Sequence, residues 1–468
     1  MDAPPERRSH WFADLAWLGG VAERVTIGVA DGRIASLTAD STPAPDATHL
    51  RGLTIPGLAN AHSHALHRAL RARTQTDAAD FWAWRGLMYD LVDRLDPDRY
   101  YALARATYAE MALAGITAVG EFHYLHHDVG GHRYQNPNAM GEALCAAAAD
   151  AGLRMTLIDT CYLQAGVGGG ALEGAQLRFS DGNAEAWAER VDALRESPTA
   201  RIAAAIHSVR AVDPASLHTV RDWAQRHTAP LHVHLSEQIA ENAECIAVTG
   251  MTPAAVLAEA GVLGASTTAV HGTHLTLADL EMLGSSGTTV CLCPTTERDL
   301  GDGVGPAHAL AAAGSPLTVG SDMHAVIDLF EELRALEVDQ RLIAGRRGLH
   351  QPTELLRAAT TAGMRSLGWD ARGLAVGAPA DFTTVALDSP RTAGATPETA
   401  VEHVVFAASA ADVTDVVVAG RPVVERGNHT RIRDVGAALQ EAIHALSDSV
   451  LSVTPRRALP PVTKEPSR

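Results

Sequence analysis

The chain has 468 residues, of which 46% are hydrophobic, 4% aromatic and 20% charged. Single cores usually stop growing near ~250–300 residues, so this length predicts one large enzyme domain with an appendage. A formal charge of −17 with scattered basic residues excludes the electrostatic footprint of a nucleic-acid or anionic-membrane binder. No apolar run approaches the ~20 residues of a membrane span.

From Met1 to Trp17 the chain carries Glu6, Arg7, Arg8 and Asp14 without an apolar run ending in a cleavage site, which predicts a cytoplasmic protein. The five cysteines are odd in number and form no Cys-x-x-Cys pair. Neither a disulfide framework nor a thiolate zinc site is expected, and the cysteines read as small buried hydrophobes.

Between Val25 and Pro56, short alternating runs around Asp31-Gly32 predict a hairpin of a small β domain. The same texture returns after Gly373, around Gly377 to Leu387 and Val413 to Val423, so the two ends are expected to build one small sheet. In between, apolar runs alternate with helical patterns such as Pro97 to Ala114 and Ala184 to Arg195. The strand candidates are Leu53–Ile55 leading into Ala61-His62, then Thr117–Glu121, Met155–Asp159, Ile202–His207, Leu231–Leu235, Thr268–His271, Thr289–Leu292 and Leu317–Gly320. Eight such units, with no Gly-x-Gly-x-x-Gly after a strand, predict an α/β fold with a (β/α)8 barrel rather than a doubly wound sheet. The expected organisation is 1–56 and 373–430 for the small composite β-sandwich domain, 57–372 for the barrel, and 431–468 for a helix and tail. The tail from Pro455 is rich in proline and charge and reads as disordered.

Chemistry in such a barrel gathers at the C-terminal ends of the strands. The first run ends in His62-Ser63-His64, whose imidazoles lie two apart and project to one side of a strand. In a chain with 22 histidines that pair alone is weak. The fifth run ends in His232-Val-His234-Leu-Ser-Glu237, the sixth in His271-Gly-Thr-His274 and the eighth in Gly320-Ser-Asp322-Met-His324. His62, His64, His234 and Asp322 would surround one cation with donors suited to zinc. His274 and His324 read as loop residues satisfied by backbone carbonyls.

The segment from Pro56-Gly57 to His64, with His234, His271 and Gly320-Ser-Asp322, resembles the amidohydrolase superfamily. Further blocks resemble its formimidoylglutamate deiminases: Phe81-Trp-Ala-Trp-Arg85, Glu121-Phe-His-Tyr124-Leu-His-His127, His207-Ser-Val-Arg210 and Leu300-Gly-Asp-Gly. The resemblance runs from about Pro56 to Leu342. It implies zinc-dependent hydrolysis of N-formimidoyl-L-glutamate to N-formyl-L-glutamate and ammonia, in histidine degradation. It implies metal ligands His62, His64, His234 and Asp322, with Glu237, His271 and Asp322 catalytic, and Arg85, Tyr124, His207 and Arg210 touching substrate. His67 stands where the family often has glutamine, and Asp299 where asparagine is frequent; His67 is assigned to the pocket as a neutral donor or, when protonated, as added charge.

One zinc per chain is expected, because the carboxylated lysine of many two-metal relatives has no counterpart: the only lysine is Lys464, and the fourth strand ends in His207. The expected partner is a small dicarboxylate, with a homodimer left open. The alternative keeps the metal but takes a purine, pterin or triazine. The arginine pair argues for the dicarboxylate, since guanidinium forks match carboxylates and a neutral heterocycle has no such need.

Overall fold

The structure is a computed structural model that describes residues 8–73 and 81–447; the side chains of residues 8, 81–85 and 447 also lie outside the described set. The tail from Pro455 falls outside it too.

Two eight-stranded sheets carry the fold. The first four strands are β1 (Arg8–Trp17), β2 (Val21–Ala30), β3 (Arg33–Thr38) and β4 (Thr48–Pro56). Eight parallel strands follow: β5 (Leu58–Ser63), β6 (Ile116–His123), β7 (Arg154–Cys161), β8 (Ala200–Ile206), β9 (Leu231–Leu235), β10 (Thr267–His271), β11 (Thr289–Leu292) and β12 (Leu317–Val319). The chain then returns to the first sheet with β13 (Phe382–Val385), β14 (Val413–Val418), β15 (Arg421–Glu425) and β16 (Asn428–His429).

In the small sheet β13 pairs antiparallel with β4, so the two ends of the chain meet in one layer ordered β16-β15-β14-β13-β4-β1-β2-β3. Trp11 packs edge-on against Phe382 inside it. Arg154 of β7 forks onto the buried Asp381 and fastens this sheet to the barrel.

The barrel order runs β5 to β12 without interruption. One expectation is corrected: Leu53–Ile55 belongs to β4 of the small sheet, and the first barrel strand is Leu58–Ser63. The chain changes sheets at Pro56-Gly57, where Gly57 donates its N–H to Asp381 O. A Cβ at Gly57 would lie 2.2 Å from Thr117 Oγ1, so only glycine lets the two strands approach there.

Helices start where a capping side chain precedes proline: Asp96 before Pro97, Asp213 before Pro214 and Thr252 before Pro253. Each cap accepts a backbone N–H that the first turn leaves unpaired, and proline at the first position needs no partner. The expected helices are Pro97–Leu113 and Ala184–Asp192 in the structure.

The barrel closes where β5 meets β12. Asp322 N donates to His62 O and His64 N donates to Asp322 O, while a Cβ at Gly320 would strike the His62 backbone at 2.7 Å. Closure of the fold therefore carries His62, His64 and Asp322 to one point.

Candidate metal centre and active site

His62 Nε2 lies 3.1 Å from His234 Nε2 and 3.3 Å from Asp322 Oδ1, and His64 Nε2 lies 3.4 Å from the same oxygen. Donors held at ~2.0–2.1 Å on a tetrahedral ion are about 3.3–3.4 Å apart, so these spacings fit a zinc-sized cage. His64 Nδ1 donates to Phe122 O and His234 Nδ1 to His207 O, both at 3.0 Å. Those bonds leave the Nε2 lone pairs of His64 and His234 pointing inward, the orientation a metal requires. Burial, reinforced by neighbouring imidazoles, pushes the pKa of His64 and of His234 well below the ordinary value and keeps both rings neutral. Burial opposes the charge on Asp322, but its bond to His62 and the surrounding imidazoles hold its pKa far below the usual carboxylate range.

His232 has the same strand position as a ligand but a different environment. Two residues before His234, on the same face of β9, it lies deeper in the barrel and meets Ser366 O at 3.0 Å. Burial brings its pKa down to about 4.

Glu237 leaves β9 through Ser236, whose φ is +50°; its Oε1 lies 3.8 Å from His271 Nε2. His271 (φ +70°), Asp322 (+40°) and His324 (+61°) are likewise left-handed non-glycine residues at strand ends. His271 and Asp322 line the cavity, and such backbone at a site marks strain held in place by the surrounding packing. Burial works against a charged His271 ring, but Glu237, the bond to Glu297 and Asp322 outweigh it and hold its pKa well above the ordinary value.

The cavity in front of these groups encloses about 700 Å³, its mouth included, and is lined by His67, Tyr124, His207 and Arg210 together with the metal-site side chains. The structure thus gathers His62, His64, His67, Tyr124, His207, Arg210, His234, Glu237, His271 and Asp322 at one end of the barrel. Arg85 belongs to the helix Phe81–Val92, but its side chain is outside the described set; Met88 and Tyr89, one turn on, line the cavity. His67 Nε2 meets Tyr124 Oη at 3.1 Å, and burial brings its pKa down to about 4. Of the two options for His67, burial favours the neutral donor over the charged ring. His324 lies in a loop as expected, but it is buried and meets Ser321 Oγ at 2.9 Å and Ser63 Oγ at 3.3 Å instead of a backbone carbonyl.

Three further carboxylates support the site, and strand-end patterning assigns none of them a role. Glu121 accepts Ser63 Oγ–H at 2.7 Å and Ala65 N–H at 2.6 Å, bracketing the His62-Ser63-His64 turn, and burial raises its pKa to about 8. Glu241 accepts Glu237 N–H at 3.1 Å and faces Arg210. Glu297 meets His271 Nδ1 at 3.4 Å. Only Glu121 carries a signal in the sequence, through its place in the Glu-Phe-His-Tyr block.

His123, His126 and Asp159 also bring donor atoms within 4.8 Å of one another. Arg190 forks onto Asp159 at 2.8 and 2.9 Å, and Trp187 Nε1 donates to it at 2.9 Å. With a guanidinium already filling the carboxylate, a second cation would meet repulsion there. This network braces the loop that carries Tyr124.

The sequence model of the amidohydrolase family matches residues 53–423. The chain belongs to the amidohydrolase family. This amidohydrolase is 36% identical to the formimidoylglutamate deiminase of Pseudomonas aeruginosa over 452 residues, covering 93% of the chain and 99% of that relative. Its fold matches an amidohydrolase from Brucella melitensis with a TM-score of 0.87 at 33% identity, covering 94% and 99% of the two chains. An adenosine deaminase from Xanthomonas campestris with bound zinc superposes with a TM-score of 0.82 at 25% identity, covering 96% and 100%. Among the described residues of this amidohydrolase, no helix is long and apolar enough to cross a membrane.

Proposed function

We propose that this amidohydrolase hydrolyses N-formimidoyl-L-glutamate to N-formyl-L-glutamate and ammonia, with one zinc held by His62, His64, His234 and Asp322. One observation carries the reading: the histidine and aspartate donors gathered around His62 open into the same cavity as Arg210, a guanidinium in reach of a substrate carboxylate. The likeness to the Pseudomonas aeruginosa deiminase over nearly its whole length supports that substrate.

Zinc bound there supplies Lewis acidity, which makes hydroxide available near neutral pH. Water adds to the formimidoyl carbon, and ammonia leaves only after its nitrogen is protonated. Glu237 carries that proton in this reading, which its carboxylate supports by facing the cavity beside His271. His271 and Asp322 orient the attacking water, and one of them takes the proton it loses on adding to carbon; that proton and the one on the new hydroxyl both pass by way of Glu237 to the leaving nitrogen, which departs as ammonia. Arg210, with Arg85, takes the carboxylates of the glutamate portion, while Tyr124, His207 and neutral His67 complete the wall. A dianion approaching a protein of charge −17 needs such local positive charge.

The rings of Tyr89, Tyr124, Tyr162 and Phe179 in the same wall are what a cyclic amidine would stack on. Ammonia release from purified protein separates the readings. Turnover of N-formimidoyl-L-glutamate, well above N-formimidoyl-L-aspartate and a purine and pterin panel, is expected; preference for a ring compound overturns the proposal.

A further inference from the structure

Glu297 belongs to the short helix Pro294–Leu300 that follows β11, and its side chain turns back into the barrel rather than out to solvent, with only 3% of the residue exposed. Its Oε1 accepts two groups: Cys293 N–H at 2.9 Å and His271 Nδ1 at 3.4 Å. The backbone N–H can only donate, so the atom facing His271 is an acceptor oxygen fixed in place by the chain itself. An acceptor at that point obliges Nδ1 to carry hydrogen. The other ring nitrogen, Nε2, then looks into the cavity, 3.8 Å from Glu237 Oε1 and 4.0 Å from Asp322 Oδ2.

The geometry points to Glu297 as a positioning residue that fixes the ring orientation and tautomer of His271, so that Nε2 is the nitrogen exchanging a proton with the reacting groups. With Oε1 held as an acceptor by the Cys293 N–H, Nδ1 is the ring nitrogen that donates to it. His271 sits at φ +70° at the end of β10 with its ring stacked on His234 of β9, a ring contact that sets the plane but supplies no partner for Nδ1, which Glu297 provides. A carboxylate behind a catalytic imidazole works in this way in other hydrolases, by holding the tautomer rather than by taking the proton. The inference rests on reading His271 as catalytic.

The test is a double-mutant cycle on the zinc-loaded full chain with N-formimidoyl-L-glutamate: Glu297→Met, His271→Ala and the pair, each checked for zinc content and melting temperature. Glu297→Met, similar in length and unable to accept a hydrogen bond, is expected to lower kcat about 10- to 100-fold, the scale for losing such a supporting partner, with KM and zinc unchanged. In the His271→Ala background the same substitution is expected to cost nothing further, because the residue through which it acts is gone. Glu297→Gln is expected to restore most of kcat, since Cys293 N–H selects its amide oxygen for the position facing Nδ1. Wild-type kcat in Glu297→Met, an equal loss in both backgrounds, or loss of fold in both the Met and Gln variants overturns the inference. Wild-type kcat in His271→Ala overturns instead the catalytic reading beneath it.

Discussion

Arg210 Nε lies 4.0 Å from Oε1 of Glu241, a residue only 3% exposed, while the Arg210 side chain keeps 26% of its surface open toward the cavity. The other oxygen of Glu241 accepts Glu237 N–H at 3.1 Å. One buried carboxylate thus backs both the arginine proposed to bind substrate and the glutamate proposed to move its proton. Burial opposes the charge on Arg210, but Glu241 and Glu237 outweigh it and raise its pKa, so it is a permanent cation at the cavity wall.

Arg210→Met is expected to lower kcat/KM by about 10²-fold with zinc retained, the scale of a lost charge-assisted contact. Arg210→Lys keeps the charge but loses the planar fork, and is expected to recover only part of that loss. Steady-state kinetics beside zinc analysis checks both. Full activity in Arg210→Met would remove the dicarboxylate assignment.

Metal content offers an independent check on the cage. Active protein is expected to hold about one zinc per chain, and chelation to abolish turnover until zinc returns. Elemental analysis on protein of known specific activity decides this; two equivalents both needed for turnover would contradict the single site. His64→Asn is expected to lose zinc, because its Nε2 is one of the four donors proposed for the metal and the bond to Phe122 O aims it inward.

Much of this candidate centre is legible in the amino-acid sequence because its proposed groups stand at or just beyond strand ends, and strand ends announce themselves as apolar runs closing on polar residues. His62, His64, His234, His271 and Asp322 stand out in that way. The supporting carboxylates do not, for a physical reason. Glu241 lies on the helix Ile239–Thr249 and Glu297 on Pro294–Leu300, where a charged residue ordinarily faces solvent and no periodicity marks one that turns inward. Leu53–Ile55 reads as a barrel strand because two consecutive strands, β4 and β5, run almost without a break and the glycine between them gives no turn signature. The place of His67 and its protonation depend on burial, which pattern cannot supply.

Glu237→Gln separates the proton carrier from the metal cage. Its carboxylate faces His271 but supplies none of the four cage donors, so zinc content is expected to stay at the wild-type level. Turnover is expected to fall by ~10² or more, the usual scale for losing an acid–base group. Parallel measurement of zinc and kcat provides the check, and near-normal kcat would take Glu237 out of the mechanism.

Asp302, in the Leu300-Gly-Asp-Gly block, provides a pH-dependent test away from the cage. Oδ1 accepts from Gln238 Nε2, whereas Oδ2 is buried with no hydrogen-bond partner. Burial, with the charge of Glu237 behind it, raises its pKa to about 8, against opposing contributions from His271 and Gln238. The folded state therefore binds this proton more tightly than the unfolded chain, whose aspartates titrate near ~3.9. Stability from the protonated form is complete below that lower value and is lost as pH rises through about 8. Asp302→Asn keeps an acceptor for Gln238 and removes the charge that forms. Its melting temperature is expected to match wild type near pH 4 and to exceed it by ~2–4 °C at pH 9, where about 1 kcal/mol of relief is enough for such a shift. Thermal melts of the two proteins across that range check it: a constant offset at every pH would mean that Asp302 is ionised throughout and that its burial is offset in some other way.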